Sequence, residues 1–216
     1  TGEGVLIWSL PYTQQAVAAA NQFDTIGPGT DFVVVSWRQW TDGGSAWPGA
    51  VANFGDYNVQ LSRSQNPPSS LSTTIASNVG PDAVTVRSGA LSLPIGNFGP
   101  RGAEVTSPFA PEVGFSNPYQ YRSGPLLAVT RQSGQGTGTV SYLDAISTFD
   151  AETGVTVKAF QVNNAAAATT NQGSAFTIAR YSVDAGTSSP LNQLAPGADA
   201  FGIEVVPVLQ TVLSAS

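Results

Sequence analysis

The sequence predicts an all-β protein: a jelly-roll-like, two-sheet β-sandwich of about ten strands with strand extensions at its ends. Three observations carry that expectation. Residues 84–93 alternate, with Val84 and Val86 on one side, Thr85 and Arg87 on the other, and Leu91 and Leu93 resuming after a Ser88-Gly89 break. Side chains on a strand point to opposite faces with a period of two, so this reads as strand, kink or bulge, strand. Turn signals rich in Gly, Pro and Asn cut the remainder into similarly short runs. No helical period is sustained, and no repeat of about 20–50 residues occurs.

Taken in order, residues 5–10 (VLIWSL) read as a short apolar strand ending at Pro11. Residues 13–21 have an alanine-rich centre and predict a helical turn or two, stopped by Gly27-Pro28-Gly29. Residues 31–40 carry apolar side chains on both faces, as expected of a strand buried between layers. Residues 41–49 (TDGGSAWPG) are a loop by composition. In residues 56–63, Tyr57, Val59 and Leu61 alternate with Asn58, Gln60 and Ser62, a half-exposed strand. Asn66-Pro67-Pro68 ends it, and a polar Ser/Thr run leads to a turn at Asn78-Val79-Gly80-Pro81. Residues 96–111 are rich in Gly and Pro and predict a long loop.

Further strands are expected over 112–115, 126–131, 141–149, 155–162 and 175–183. Between them lie turn signals at Asn117-Pro118, Ser123-Gly124-Pro125, 133–138, Glu152-Thr153-Gly154 and 163–173. The division is then one sandwich domain over 1–184, a linker over 185–200, and a strand extension over 201–216 interrupted at Pro207.

Composition narrows the function classes. Charged residues make up 10% of the chain, against about 25% for an average soluble protein, so its surface must be mainly neutral and polar. The net charge is -6, with Lys158 the sole lysine and the arginines unclustered. Phosphate neutralisation needs a basic footprint, so nucleic acid is excluded, as is attraction to an anionic membrane surface. The chain holds no Cys, Met or His. Without Cys, stability must come from packing and sheet hydrogen bonds. The missing Met implies a leader removed before Thr1, or an expression scar there, and the Cys-free, Thr/Ser/Asn/Gly-rich composition implies an extracellular or cell-surface life in a prokaryote. No Asn-x-Ser/Thr acceptor occurs, and no apolar run of about 18 residues.

Four segments carry a family resemblance: FGDYNVQLSRS at 54–64, LSTTIASNVGPDAVTVRSGALSLP at 71–94, PEVGFSNPYQYRSGPLLAVTRQSG at 111–134, and YLDAIST at 142–148. Together they resemble the secreted β-sandwich proteins of planctomycetes and related bacteria. Many of those proteins end in an exosortase-type (PEP-CTERM) sorting tail. The resemblance implies export and carries no functional residue with it. This chain has FGIEVVPVLQTVLSAS where the sorting tail would stand.

No catalytic signature is present. A Ser-His-Asp or Cys-His nucleophile needs residue types the chain lacks, and Lys158 sits in an alternating run as an exposed lysine would. Glu104, Glu112, Asp144, Asp150 and Glu152 are the pool for paired-carboxylate hydrolysis of glycosides, with nothing in their spacing to select a pair. Residues 134–138 (GQGTG) precede a strand rather than a helix, so they are a hairpin turn and not a dinucleotide loop. No cofactor is expected; calcium is the one ion with candidate oxygen ligands, at Asp31, Asp42 and Asp56. Trp37, Trp40 and Trp47 cluster in sequence, and exposed indoles stack on sugar rings, so a polysaccharide-binding module is the second functional reading.

The termini give the first reading. Both carry apolar strands, and a terminal strand can complete its own sheet or fill an open edge in a neighbour. A heterologous contact that does not close propagates into a filament. The expectation is a non-enzymatic extracellular subunit that polymerises with itself into a filament, pilus-like fibre or surface layer. The donor residues would be Ile203, Val205, Val206, Val208, Leu209 and Leu213, or Val5 and Ile7 at the other end.

Overall fold

The computed structural model describes residues 5–6, 10–24, 26–39, 46–98, 108–135, 142–143, 145–146, 157–174, 176–184 and 203–208. In its first half the strands are β1 (Val5–Leu6), β2 (Tyr12–Ala18), β3 (Asp31–Arg38), β4 (Ala52–Phe54), β5 (Tyr57–Arg63), β6 (Val84–Arg87) and β7 (Leu91–Leu93). The second half adds β8 (Phe109–Gln120), β9 (Leu126–Gln132), β10 (Tyr142–Leu143), β11 (Ala145–Ile146) and β12 (Val157–Val162). It closes with β13 (Gln172–Ser174), β14 (Phe176–Thr177), β15 (Ala179–Asp184) and β16 (Ile203–Val208).

The chain is an all-β sandwich, as the alternation predicts. One sheet has six strands in the order β13-β12-β2-β9-β5-β6; the facing sheet has four, β16-β15-β3-β8. Short ribbons β1-β10, β11-β14 and β4-β7 complete the pairing. The alternating Tyr57, Val59 and Leu61 of β5 point inward and are buried, meeting Phe32, Val35 and Trp37 of β3 and Tyr181 and Val183 of β15. Trp37 meets Tyr57 edge-on at 6.2 Å across the two layers, while Phe32 stacks on Tyr181 at 5.3 Å and on Tyr121 at 5.7 Å on the side of the four-stranded sheet. Such pairs add about 0.5–1.5 kcal/mol each beyond the area they bury.

Several expectations need correction. The alanine-rich segment is not helical: Tyr12–Ala18 is a central strand, paired with β9 on one side and β12 on the other. A helix of so few residues is marginal by itself, whereas two neighbouring ladders satisfy every backbone group of β2. The expected strand over 141–149 includes two short strands with different partners, β10 on β1 and β11 on β14. Asn117-Pro118 is not a turn between strands but lies inside β8. There the register against β3 shifts, and the Asn117 amide donates to Thr85 O at 3.1 Å. Proline is tolerated because β8 is an edge strand with no ladder partner on that side among the described strands. The expected loop over 96–111 yields to β8 from Phe109 onward. The expected linker over 185–200 lies outside the described residues.

Ser88-Gly89 is the predicted kink, and it does more than bend a strand. Gly89 adopts φ +89°, which costs a glycine nothing, and the chain passes from the six-stranded sheet (β6 on β5) to the β4-β7 ribbon. The polar run before it also has a structural task. Short 3-10 turns at Pro68–Ser70 and Ile75–Ser77 lay the segment across the outer face of β2 and β9. Leu71 and Ile75 there cover Val17, Leu127 and Val129 in a second, smaller core.

Candidate functional site

β16 pairs in parallel with β15, from Ala179↔Ile203 through Asp184↔Val208, and forms one border of the four-stranded sheet. It is the sole parallel pair among the described strands. On its other side β15 is locked antiparallel to β3, and its Ala179, Tyr181 and Val183 are buried in the main core. The slot for β16 is therefore a firm strand edge. Pro207 stands opposite Val183 within this border strand, the place in a sheet where a missing N–H is tolerated. Of the other expected donor residues, Val5 is in β1, paired with Leu143; Ile7, Leu209 and Leu213 lie outside the described residues.

The tryptophan face is not a platform. Trp37 is 8% exposed and Trp47 5%, both within the main core, where Trp47 packs on Phe98 at 5.7 Å. Trp40 lies outside the described residues. Trp37 and Trp47 thus fill the sandwich, Trp37 because the strand that carries it is apolar on both faces.

Among the acidic residues, Asp31 opens β3 and Asp56 is exposed, accepting from the Asn58 amide at 2.7 Å. Asp42 lies outside the described residues, as do Glu104, Asp144, Asp150 and Glu152. Among the described residues no three acidic side chains gather as metal ligands would. Lys158 lies over the ring of Phe160 at 5.4 Å, the ordinary surface arrangement that its alternating strand implies.

Titration is perturbed chiefly at core tyrosines. Burial pushes the Tyr12, Tyr57 and Tyr181 hydroxyls well up, with Arg87 partly opposing the rise at Tyr57. Tyr119 is raised by burial and by the Asp82 carboxylate, to which it donates at 2.9 Å. All four are held neutral, which suits packing rather than proton transfer.

No family model, curated protein or solved structure matches this chain. The geometry must speak for itself.

Sequence reasoning missed one further feature, a groove of about 400 Å³ between β7 and the first residues of β8. Leu93, Pro111 and Val113 are its buried lining residues; Ser92 and Glu112 expose themselves along it. Beside it, the guanidinium groups of Arg38 and Arg180 lie 5.5 and 5.1 Å from the Phe109 ring centroid, and Arg180 pairs with Glu112 at 3.4 Å. Arg180, Ser36 and Glu112 stand abreast on β15, β3 and β8. In that row Ser36 Oγ and Arg180 Nε are buried without a hydrogen-bond partner among the described residues. The groove was not legible beforehand because its two walls are separated in sequence by residues 94–108.

Proposed function

We propose that this chain is a non-catalytic structural subunit that works outside the cell and assembles with copies of itself by exchange of its C-terminal strand. The observation that carries this reading is the parallel docking of β16 on β15 across the intervening residues 185–202. A six-residue strand is about 20 Å long, while 18 residues of chain reach about 60 Å when extended. That connection, AGTSSPLNQLAPGADAFG, is long enough to return β16 to its own sheet and long enough to carry it to a neighbour.

Both arrangements make the same strand contacts, so the balance between them rests on the connection and on concentration. A tether of this length gives its own strand an effective concentration in the mM range. Exchange therefore wins where subunits are crowded, as in a fibre or surface layer, and loses in dilute solution. The low-charge, Thr/Asn/Gly-rich composition favours close approach between copies.

The test is electron microscopy and sedimentation of three proteins at matched concentrations up to the mM range. These are the full chain, a version ending at Pro196, and one with residues 188–195 deleted. Filaments or oligomers are expected from the full chain when concentrated, from the deleted form at lower concentration, and not from the truncation. Monomers from all three at every concentration would dispose of strand exchange.

A further inference from the structure

The β7–β8 groove is made by the sheet geometry rather than by a loop. β6 and the second half of β8 come together at the Asn117–Thr85 hydrogen bond, closing that side of the sandwich. Beyond Gly89, β7 departs to pair with β4, while β8 stays with β3. Two strands that each have a partner on one side only among the described strands thus face each other across about 400 Å³, within the range of about 300–1,000 Å³ in which small-ligand sites fall.

A facing pair of strand edges invites an extended peptide, but these two are poorly equipped for one. Addition of a strand is held by main-chain N–H donors, and proline has none. Pro94 stands at the end of β7, and Pro111 on β8, both lining the groove. What the lining offers instead is side-chain chemistry. Phe109 and the two proline rings supply apolar surface, and Ser92, Asn97 and Glu112 supply a hydroxyl, an amide and a carboxylate. Glu112, the one charged residue of the lining, is paired with Arg180, so the lining offers no unpaired charge to recruit an ion.

Apolar ring surface beside scattered neutral donors and acceptors matches a molecule with C–H faces and a rim of hydroxyls. From this juxtaposition we infer that the groove between Leu91–Leu93 and the start of β8 binds a short stretch of neutral oligosaccharide. The apolar faces of its rings rest on Phe109, and its hydroxyls reach Asn97, Ser92 and Glu112. The Arg38 and Arg180 guanidiniums steady the Phe109 ring, and the site is independent of the strand exchange proposed above.

The experiment titrates the full chain with neutral pentasaccharides of gluco, manno, galacto and xylo configuration, followed by calorimetry and by ligand-observed NMR. Saturable binding of at least one is expected, weakened tenfold or more by Asn97→Ala and by Glu112→Gln. Phe109→Leu should weaken it similarly while keeping an apolar contact for the two arginines; thermal melts of each variant establish that it is folded. Lys158→Ala, on β12, should leave binding unchanged. Absence of saturable binding to all four sugars up to about 10 mM overturns the assignment. So does binding that survives the groove substitutions. A third contrary result would be capture of a synthetic GIEVVPVL peptide that the same substitutions abolish, which would make the groove a strand acceptor instead.

Discussion

Asn78 shows how one side chain can fasten a whole segment. It is fully buried, and its amide donates to Gln15 Oε1 and Ser72 O, both at 2.7 Å, while its carbonyl oxygen accepts from Ser72 N at 3.0 Å. Gln15, equally buried on β2, donates in turn to Ser72 O and Thr170 Oγ1, both at 2.7 Å. Every group in this cluster has a partner, so removing one strands the others, at about 1–3 kcal/mol for each orphaned group. Asn78→Ala is therefore expected to lower stability by at least that much in urea unfolding, with Gln15→Ala costing a similar amount. The sequence marks Asn78 correctly as part of a turn. Its role as a clamp is not legible, because the partner that defines it lies 63 positions away. Gly80 nearby is legible only as a turn residue too; a Cβ there would lie 2.2 Å from Arg63 O, so backbone approach and not flexibility demands the glycine.

At the scale of elements, the overlay between β5 and β6 is the part that composition misrepresents most. Its Ser/Thr-rich run looks like a solvated loop, yet Leu71 and Ile75 within it shield Val17 and Leu127 from water. That second layer also explains why β9 reads as apolar on both faces: Leu126 points to the main core, Leu127 and Val129 to the overlay. Ile75→Ala is expected to cost about 2–5 kcal/mol in urea unfolding. It should also speed amide exchange at Leu127 and Val129 more than at Tyr57 or Leu61. The strands β5, β6 and β7 were legible because a single inward face produces clean alternation. β2 was not, since burial on both sides erases the period of two and leaves only an alanine count that points to helix. β8 was half legible: prolines that signal turns elsewhere are admitted to its unpaired side.

At the scale of the molecule, the sandwich follows from alternation and turn spacing, while the order of strands within it follows from neither. The aromatic centre sets the response of the whole to pH. Burial raises the Tyr12, Tyr57 and Tyr181 hydroxyls above the value near 10 of an unfolded tyrosine. Below pH about 10 both states keep these protons, and the contribution is complete. As pH rises above that, the unfolded chain releases protons first and stability falls. Tyr119 and Tyr121 are raised in the same sense, and five such tyrosines give a slope of up to about 7 kcal/mol per pH unit. Thermal melts should therefore show the melting temperature dropping steeply above pH 10, and substitution of Tyr181 by Phe should shallow that drop by about one fifth. With no histidine in the chain, side-chain titration near neutrality adds no comparable step.

The strand order of the large sheet also sets a timetable for synthesis. β2, at its middle, has β9 and β12 as its neighbours, so Tyr12 must wait for Gln132, and Thr13 for Val162, before its ladders can form. At about 5–20 residues per second, β2 spends several seconds without either flank after it leaves the ribosome. The six-stranded sheet of such a chain cannot close until most of it has emerged, and until then the polypeptide can still be threaded through a narrow channel.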